Sequence, residues 1–315
     1  MEGLATVVVS AAGYLFVYNY PTTAEFLSDS ERKFIEDRLR KDNDSTREEA
    51  FSWYAALDAF KDVKVWLYGL GFHTLSLPLY TLSLFMVSGW DTRYYIVSQA
   101  DLTDMIQPTI IKQLGYTAAQ AQLLTVPPYA VAFILTIVVA VISERTRLRA
   151  PFIIGSSAVA CIGYIILLAQ VSSRPGVAYL GTFFAAGGIY PAVAIVLSWP
   201  ANNVSGQTKR CIANAMQISI GNLGAVIGTQ LYRTETSPRY FLGHGFALGY
   251  LVANICVVAV TLWVLKRENA AKEAERESRG LKHWNVSNSG SEEAFPVGEL
   301  QDFAGDKDPR WVLQT

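Results

Sequence analysis

The chain alternates between long apolar runs and short polar stops. Six runs, at about 65–87, 123–143, 151–171, 177–199, 211–232 and 243–265, supply the roughly 20 mainly apolar residues that carry a helix across a bilayer core of about 30 Å. A seventh, about 3–19, starts almost at the first residue. No basic region precedes it, and its exit at Tyr18-Asn19-Tyr20-Pro21 is not a small-residue cleavage site, so it reads as a span and not as a secretion signal. The stretch 199–228 shows the pattern in miniature. One run ends at Trp199-Pro200, a polar turn carries Lys209-Arg210, and a second run opens with Gln217, Ser219 and Asn222 among glycines. An all-α membrane protein is expected.

Composition agrees. Hydrophobic residues make up 51% and charged residues 17%, below the roughly 25% charged usual in soluble domains. The charges crowd into 22–64, 144–149 and 266–310. A soluble alternative needs five or six buried helices that are apolar around their whole circumference. No basic stripe points to nucleic acid. Cys161, Cys211 and Cys256 sit in or beside apolar runs without disulfide or metal spacing. Neither an HExxH nor a GxSxG motif is present. The chain is therefore not read as an enzyme, and no catalytic residue, metal or cofactor is expected.

Lys and Arg near span ends set orientation. Arg145, Arg147 and Arg149 follow the second of the six runs, Lys209 and Arg210 precede the fifth, and Lys266 and Arg267 follow the sixth. The intervening turns carry Arg174 alone, and Arg233 with Arg239. Segment 20–64, the two basic turns and the C-terminal tail are thus placed in the cytoplasm. The sequons at Asn43, Asn203 and Asn285 should then go unglycosylated.

Polar groups inside the runs are the candidate chemistry. Pro78 is expected to break the first span, which also carries His73 and Tyr80. His73 is a titratable group within a span, either functional or simply hydrogen-bonded near a membrane end. Gln217 and Asn222 would be costly facing lipid; they either hold the bundle together or touch substrate. Gly221, Gly224 and Gly228 favour close helix approach, as do Gly155 and Gly163. In 20–64, a Ser or Asp cap precedes Glu31, with Phe34, Ile35 and Leu39 at helical spacing. A second helix carries Phe51, Tyr54, Ala55, Leu57 and Phe60. This linker is either solvated or a surface-lying pair that latches two halves of a transporter. After 266 the tail turns charged and then polar, and disorder is expected to about 315.

Several ordered motifs carry a resemblance. They are Phe26-Leu27-Ser28 with Glu31-Arg32; Phe60-Lys61-Asp62 with Trp66; Leu79-Tyr80 through Leu84-Phe85; Pro108-Thr109-Ile110-Ile111 with Leu114-Gly115-Tyr116; Ala121 through Tyr129; Lys209-Arg210; Gly221-Asn222; and Pro238-Arg239-Tyr240 with Gly243-His244-Gly245. Together they resemble the fungal allantoate permease family, anion:cation symporters of the major facilitator superfamily, over nearly all of 20–267. The resemblance implies twelve spans in two six-helix halves, with substrate at the midplane between them. Residues 1–19 would be the end of span six, 20–64 the linker, 65–265 spans seven to twelve, and 266–315 the tail. The fold expected is the C-terminal six-helix half.

The resemblance implies proton-coupled symport of a small organic anion, such as allantoate, nicotinate or pantothenate, by alternating access at the plasma membrane. The partners are the lipid bilayer, the anion and a proton. Substrate-facing candidates are His73, Tyr80, Tyr190, Trp199, Gln217 and Asn222, because aromatic faces and amides orient a carboxylate. Gating candidates are Glu144, Arg145, Arg149, Lys209 and Arg210; Glu144 stands where the superfamily usually has Asp. Two departures stand out. Spans one to five have no counterpart, so the chain looks truncated and is expected not to transport alone. Residues 86–107 interrupt the family pattern and are polar, with Asp91, Arg93, Asp101 and Asp104. They are read as a retained intron, or else as a genuine extracellular loop insertion. The rival function is a non-transporting sensor or pseudogene-like fragment. Substrate identity and oligomeric state are not fixed by these residues.

Overall fold

Helix formation follows the apolar runs. In the computed structural model of the chain, the described residues are 7, 10, 13, 24, 26–42, 51–87, 123–169, 175–231, 241–279, 306 and 313–315. They belong to two compact units, Met1–Ala50 with Asn285–Ala304, and Phe51–Trp284 with Gly305–Thr315. Most of 1–19 and all of the 88–107 portion of the insert lie outside the described residues.

In the first unit, α1 (Asp29–Asp42) begins with a reciprocal cap. The Glu31 amide donates to Ser28 Oγ at 3.4 Å, and the Ser28 amide donates to Glu31 Oε2 at 3.0 Å. Two otherwise orphaned N–H groups are satisfied at once, so Ser28 is the cap. These bonds hold the Glu31 carboxyl below its ordinary value, the Ser28 hydroxyl contributing most.

The second unit contains α2 (Trp53–Lys61), α3 (Val63–Val87), α4 (Val126–Thr146), α5 (Ala150–Leu168), α6 (Pro175–Asn203), α7 (Gln207–Leu231) and α8 (Phe241–Arg279). Among the described residues, α4 to α8 are long and apolar enough to cross a membrane. Helix α3 is 25 residues long, about 37 Å at about 1.5 Å per residue, but its polar residues leave it short of the same apolarity. Many of them are turned inward: Thr74, Ser76 and Thr81 are buried.

The break expected at Pro78 does not occur, and α3 is continuous through it. A proline removes one backbone donor, but neighbouring groups fasten this turn. The Pro78 carbonyl accepts from Tyr164 Oη and from Thr81 Oγ1, each at 3.1 Å. Pro127 and Pro128 fall in the first turn of α4, where their missing N–H groups cost little. Helix α2 is two-sided. Its large residues Tyr54, Leu57 and Phe60 are exposed, whereas Ala56 and Ala59 form the buried side.

Small residues set the helix pairing. A Cβ at Gly221 would lie 2.0 Å from Phe72 Cδ1, and one at Gly224 would lie 2.6 Å from the His73 carbonyl oxygen, so α7 seats on α3 only because both are glycine. Likewise a Cβ at Gly163 would meet the Ala185 amide nitrogen at 2.3 Å, and one at Gly188 would meet the Ser156 carbonyl at 2.4 Å, which joins α5 to α6. Helix α8 packs on both α3 and α5.

The tail departs from the expected disorder. Helix α8 runs past 265 to Arg279 and is 39 residues long, about 58 Å against a bilayer core of about 30 Å, so it extends beyond any membrane. The sequence after Lys266 is rich in Glu, Lys, Arg and Ala, all strong helix formers. Its inner face keeps contact with the unit, since Lys272 and Arg276 are buried. Asp306 and Leu313 are buried as well.

Candidate functional site

The substrate candidates separate into groups by environment. Tyr80 on α3 donates its hydroxyl to Asn222 Oδ1 on α7 at 3.4 Å. Both side chains are exposed, Tyr80 at 40%. Two turns nearer the α3 N-terminus, His73 Nδ1 lies 3.0 Å from the Ile220 carbonyl oxygen. A carbonyl only accepts, so this contact selects the Nδ1–H tautomer and leaves Nε2 as the ring's acceptor. The His73 ring also stacks at a tilt against Tyr250, with centroids 5.8 Å apart. Thus α3 and α7 bring His73, Tyr80 and Asn222 onto one helix pair.

Tyr190 on α6 joins a second group. Its hydroxyl lies 3.3 Å from Ser83 Oγ on α3, and its ring meets Tyr129 of α4 edge-on at 5.7 Å. Three helices therefore converge on one polar contact. Gln217 is placed differently. It is buried and its Nε2 donates to the Val196 carbonyl at 2.8 Å, tying α7 to α6. Trp199 is also buried, packs on Tyr68, and donates its indole N–H to the Gln314 carbonyl at 2.9 Å. Gln217 and Trp199 stabilise the unit and do not join the exposed Tyr80–Asn222 pair.

Sequence reasoning missed Asn254 on α8. It is 0% exposed. Its Nδ2 donates to the Gly71 carbonyl and to Thr74 Oγ1, both at 2.9 Å, and its Oδ1 accepts from Ser157 Oγ at 2.9 Å. One carboxamide thus links α3, α5 and α8. A lone Asn in an apolar run was the available signal. His244 was also passed over; it is buried in the first turn of α8 beside Tyr164.

The gating candidates all lie where the basic turns gather, at one end of the unit. Arg149, buried after the α4–α5 turn, pairs with Glu144. Arg147 closes α4 in the left-handed region at φ 54°, its amide donating to the Glu144 carbonyl at 3.3 Å. Gly206, at φ 82°, supplies the α6–α7 turn, where a side chain would be strained. Arg210 Nε donates to the Val204 carbonyl at 3.0 Å. Arg145 is exposed on the last turn of α4.

Lys209 anchors an ionic cluster that the sequence did not reveal. Its Nζ lies 3.0 Å from Asp58, 3.0 Å from Asp62 and 2.8 Å from Asp306. Lys64 joins it, 2.8 Å from Glu268 and 3.7 Å from Asp306. Lys272 lies 3.5 Å from Glu268 and donates to the Asp306 backbone carbonyl. Residues from α2, α3, α7, α8 and the tail are fastened at one point.

No group of metal-binding residues occurs among the described residues. What remains is an all-α, polytopic membrane unit with an exposed polar pair on its α3–α7 face and an ionic cluster at its basic end. Its relatives are fungal transporters. It is 34% identical over 275 residues to an uncharacterized transporter of Schizosaccharomyces pombe, a match covering 87% of this chain and 52% of that protein. It is 30% identical over 249 residues to a high-affinity nicotinic acid transporter of Saccharomyces cerevisiae, covering 79% of this chain and 42% of that one. A transporter of Penicillium expansum named as major-facilitator type is 37% identical over 164 residues, covering 51% of this chain and 32% of that one. The chain spans about half the length of the first curated relatives it matches. No family model matches the chain, and no solved structure does. Transporters are not enzymes, and it is to transporters that this chain is similar.

Proposed function

We propose that this chain is the C-terminal half of a major facilitator transporter of the allantoate permease type, which carries a small organic anion with a proton by alternating access. The observation that carries the reading is the Tyr80–Asn222 pair. A phenol and a carboxamide left exposed on membrane helices are costly against lipid. They fit the wall of a water-filled path, where amides and hydroxyls orient a carboxylate without a buried fixed charge. The relative named for nicotinic acid supports a small carboxylate as cargo. His73 is the candidate proton carrier, with Nδ1 engaged by the Ile220 carbonyl and Nε2 as its other ring nitrogen. The basic turns support a cytoplasmic placement of the C-terminal tail, in a plasma-membrane protein.

The path needs a second wall, so uptake is expected from the complete transcript product and not from this chain alone. The test measures uptake of labelled nicotinate, allantoate and pantothenate in fungal cells lacking their own carriers, at several external pH values. One of the three should be accumulated, faster at acid external pH and abolished by a protonophore. Asn222→Ala, removing one polar contact, should raise KM about tenfold, with expression intact. Uptake unchanged by both Asn222→Ala and Tyr80→Phe would remove these residues from the path.

A further inference from the structure

The tail residues 313–315 are held as a receptor holds a peptide. Asn203 on α6 contacts the Gln314 backbone twice, with Nδ2 donating to the carbonyl at 3.0 Å and Oδ1 accepting the amide at 2.7 Å. Asn269 on α8 treats Leu313 in the same way, donating to its carbonyl and accepting its amide, both at 2.9 Å. The Trp199 indole adds a second donor to the Gln314 carbonyl at 2.9 Å. The Arg149 amide donates to the Thr315 carbonyl at 2.7 Å, and Arg149 Nε reaches Gln314 Oε1 at 3.5 Å. Leu313 is 2% exposed, within the main hydrophobic core of the unit. Upstream, Asp306 sits between Lys209 and Lys64.

These contacts have a chemical logic. Two carboxamides that each pair with both backbone groups of one residue recognise extended peptide whatever its side chains. A buried leucine and a buried carboxylate then add sequence selectivity. Neither Asn203 nor Asn269 lies in the set that faces the proposed path, so this is a separate site.

We propose that the basic end of the bundle is a peptide-binding site whose resident ligand is the chain's own tail, held at Asp306 and at residues 313–315. The occupied site fastens the α4–α5 turn, through Arg149, to α6 and α8. A mobile α4–α5 turn would first have to release the peptide. The ligand class is a peptide with an acidic residue and, seven positions later, a leucine.

The test is site-resolved amide hydrogen exchange on the full chain in lipid nanodiscs. The Leu313 and Gln314 amides should exchange at least about tenfold more slowly than in a free synthetic peptide of 305–315. Asn203→Ala should accelerate Gln314, and Asn269→Ala should accelerate Leu313, while Cys256→Ala, on an exposed position of α8, leaves both unchanged. Where an alanine variant does not fold, Asn203→Asp or Asn269→Asp replaces it; each removes the donor and also tests the site. Excess synthetic peptide should displace the resident segment and raise both exchange rates, whereas the same peptide with Leu313→Asp should not. Exchange in the parent chain at the free-peptide rate overturns the proposal. So does unchanged exchange in folded variants of both asparagines.

Discussion

Lys209 is the strongest single test of how the basic end is held. The residue is 4% exposed, and its ammonium lies within about 3 Å of three carboxylates. At an effective dielectric near 20, each contact represents about 5–6 kcal/mol of attraction. Desolvating the four ions offsets several kcal/mol apiece, so the summed Coulomb term greatly overstates the net. Removing the cation takes an ion-pair partner from Asp58, Asp62 and Asp306, and Lys64 stays 3.8 Å from Asp62 and 3.7 Å from Asp306, so the loss should reach at most the about 3–5 kcal/mol typical of a broken buried pair. Lys209→Gln should therefore lower the thermal midpoint markedly, read by tryptophan fluorescence in detergent. Adding Asp306→Asn removes one of the carboxylates that lost Lys209, so the double variant should recover about 1–3 kcal/mol relative to additivity. Strictly additive effects, or a Lys209→Gln chain as stable as the parent, would refute the reasoning. Either result would mean that Lys209 is solvated rather than paired.

Three other perturbations have clear directions. Gly221→Ala places a methyl 2.0 Å from Phe72 and should destabilise the α3–α7 pair by about 1–3 kcal/mol, seen as a lower melting point. Asn254→Ala leaves Ser157 and Thr74 without their shared partner and should cost about 1–3 kcal/mol in the same assay, with Asn254→Leu no better if the pocket is shaped for an amide. The Glu31 carboxyl is depressed by Ser28, so its contribution to the start of α1 is present above the ordinary carboxylate range and is lost as pH falls through the depressed value. Ser28→Ala removes the hydroxyl but keeps the backbone amide, so it should raise the Glu31 titration, followed by carbon-13 NMR, toward the ordinary range.

The apolar runs made most of this fold legible. Length and hydrophobicity specify a span without reference to its neighbours, and the glycines at 221, 224 and 228 announced the close face that α7 turns to α3. The Ser28 cap was legible because its partner is three residues away. What stayed hidden was long-range pairing. Lys64 and Glu268 are 204 positions apart, and Lys209 and Asp306 are 97. A charged residue near a span end says that it needs a partner or water, and nothing in its neighbourhood says which. The helix through 266–279 and the docking of 313–315 went unexpected for a related reason. Composition averages over many residues, whereas docking depends on a few, and the short run Trp311-Val312-Leu313 is too brief to carry a periodic signal.

The same limit explains how the candidate site became narrower. In the sequence, Gln217, Trp199, Tyr80 and Asn222 all posed one problem, a polar group inside an apolar run. Two solutions are available to such a group: a bond within the bundle, or a place on a wetted face. Gln217 and Trp199 take the first, spending their donors on the carbonyls of Val196 and Gln314. Asn254, unnoticed beforehand, takes it more fully than either. Tyr80 and Asn222 bond only loosely to each other at 3.4 Å and remain exposed. A long hydrogen bond between exposed partners is readily exchanged for a bond to a ligand, whereas a buried 2.8 Å bond to a backbone carbonyl is not. On the α3–α7 face, capacity to bind therefore falls to the residues that the bundle has used least.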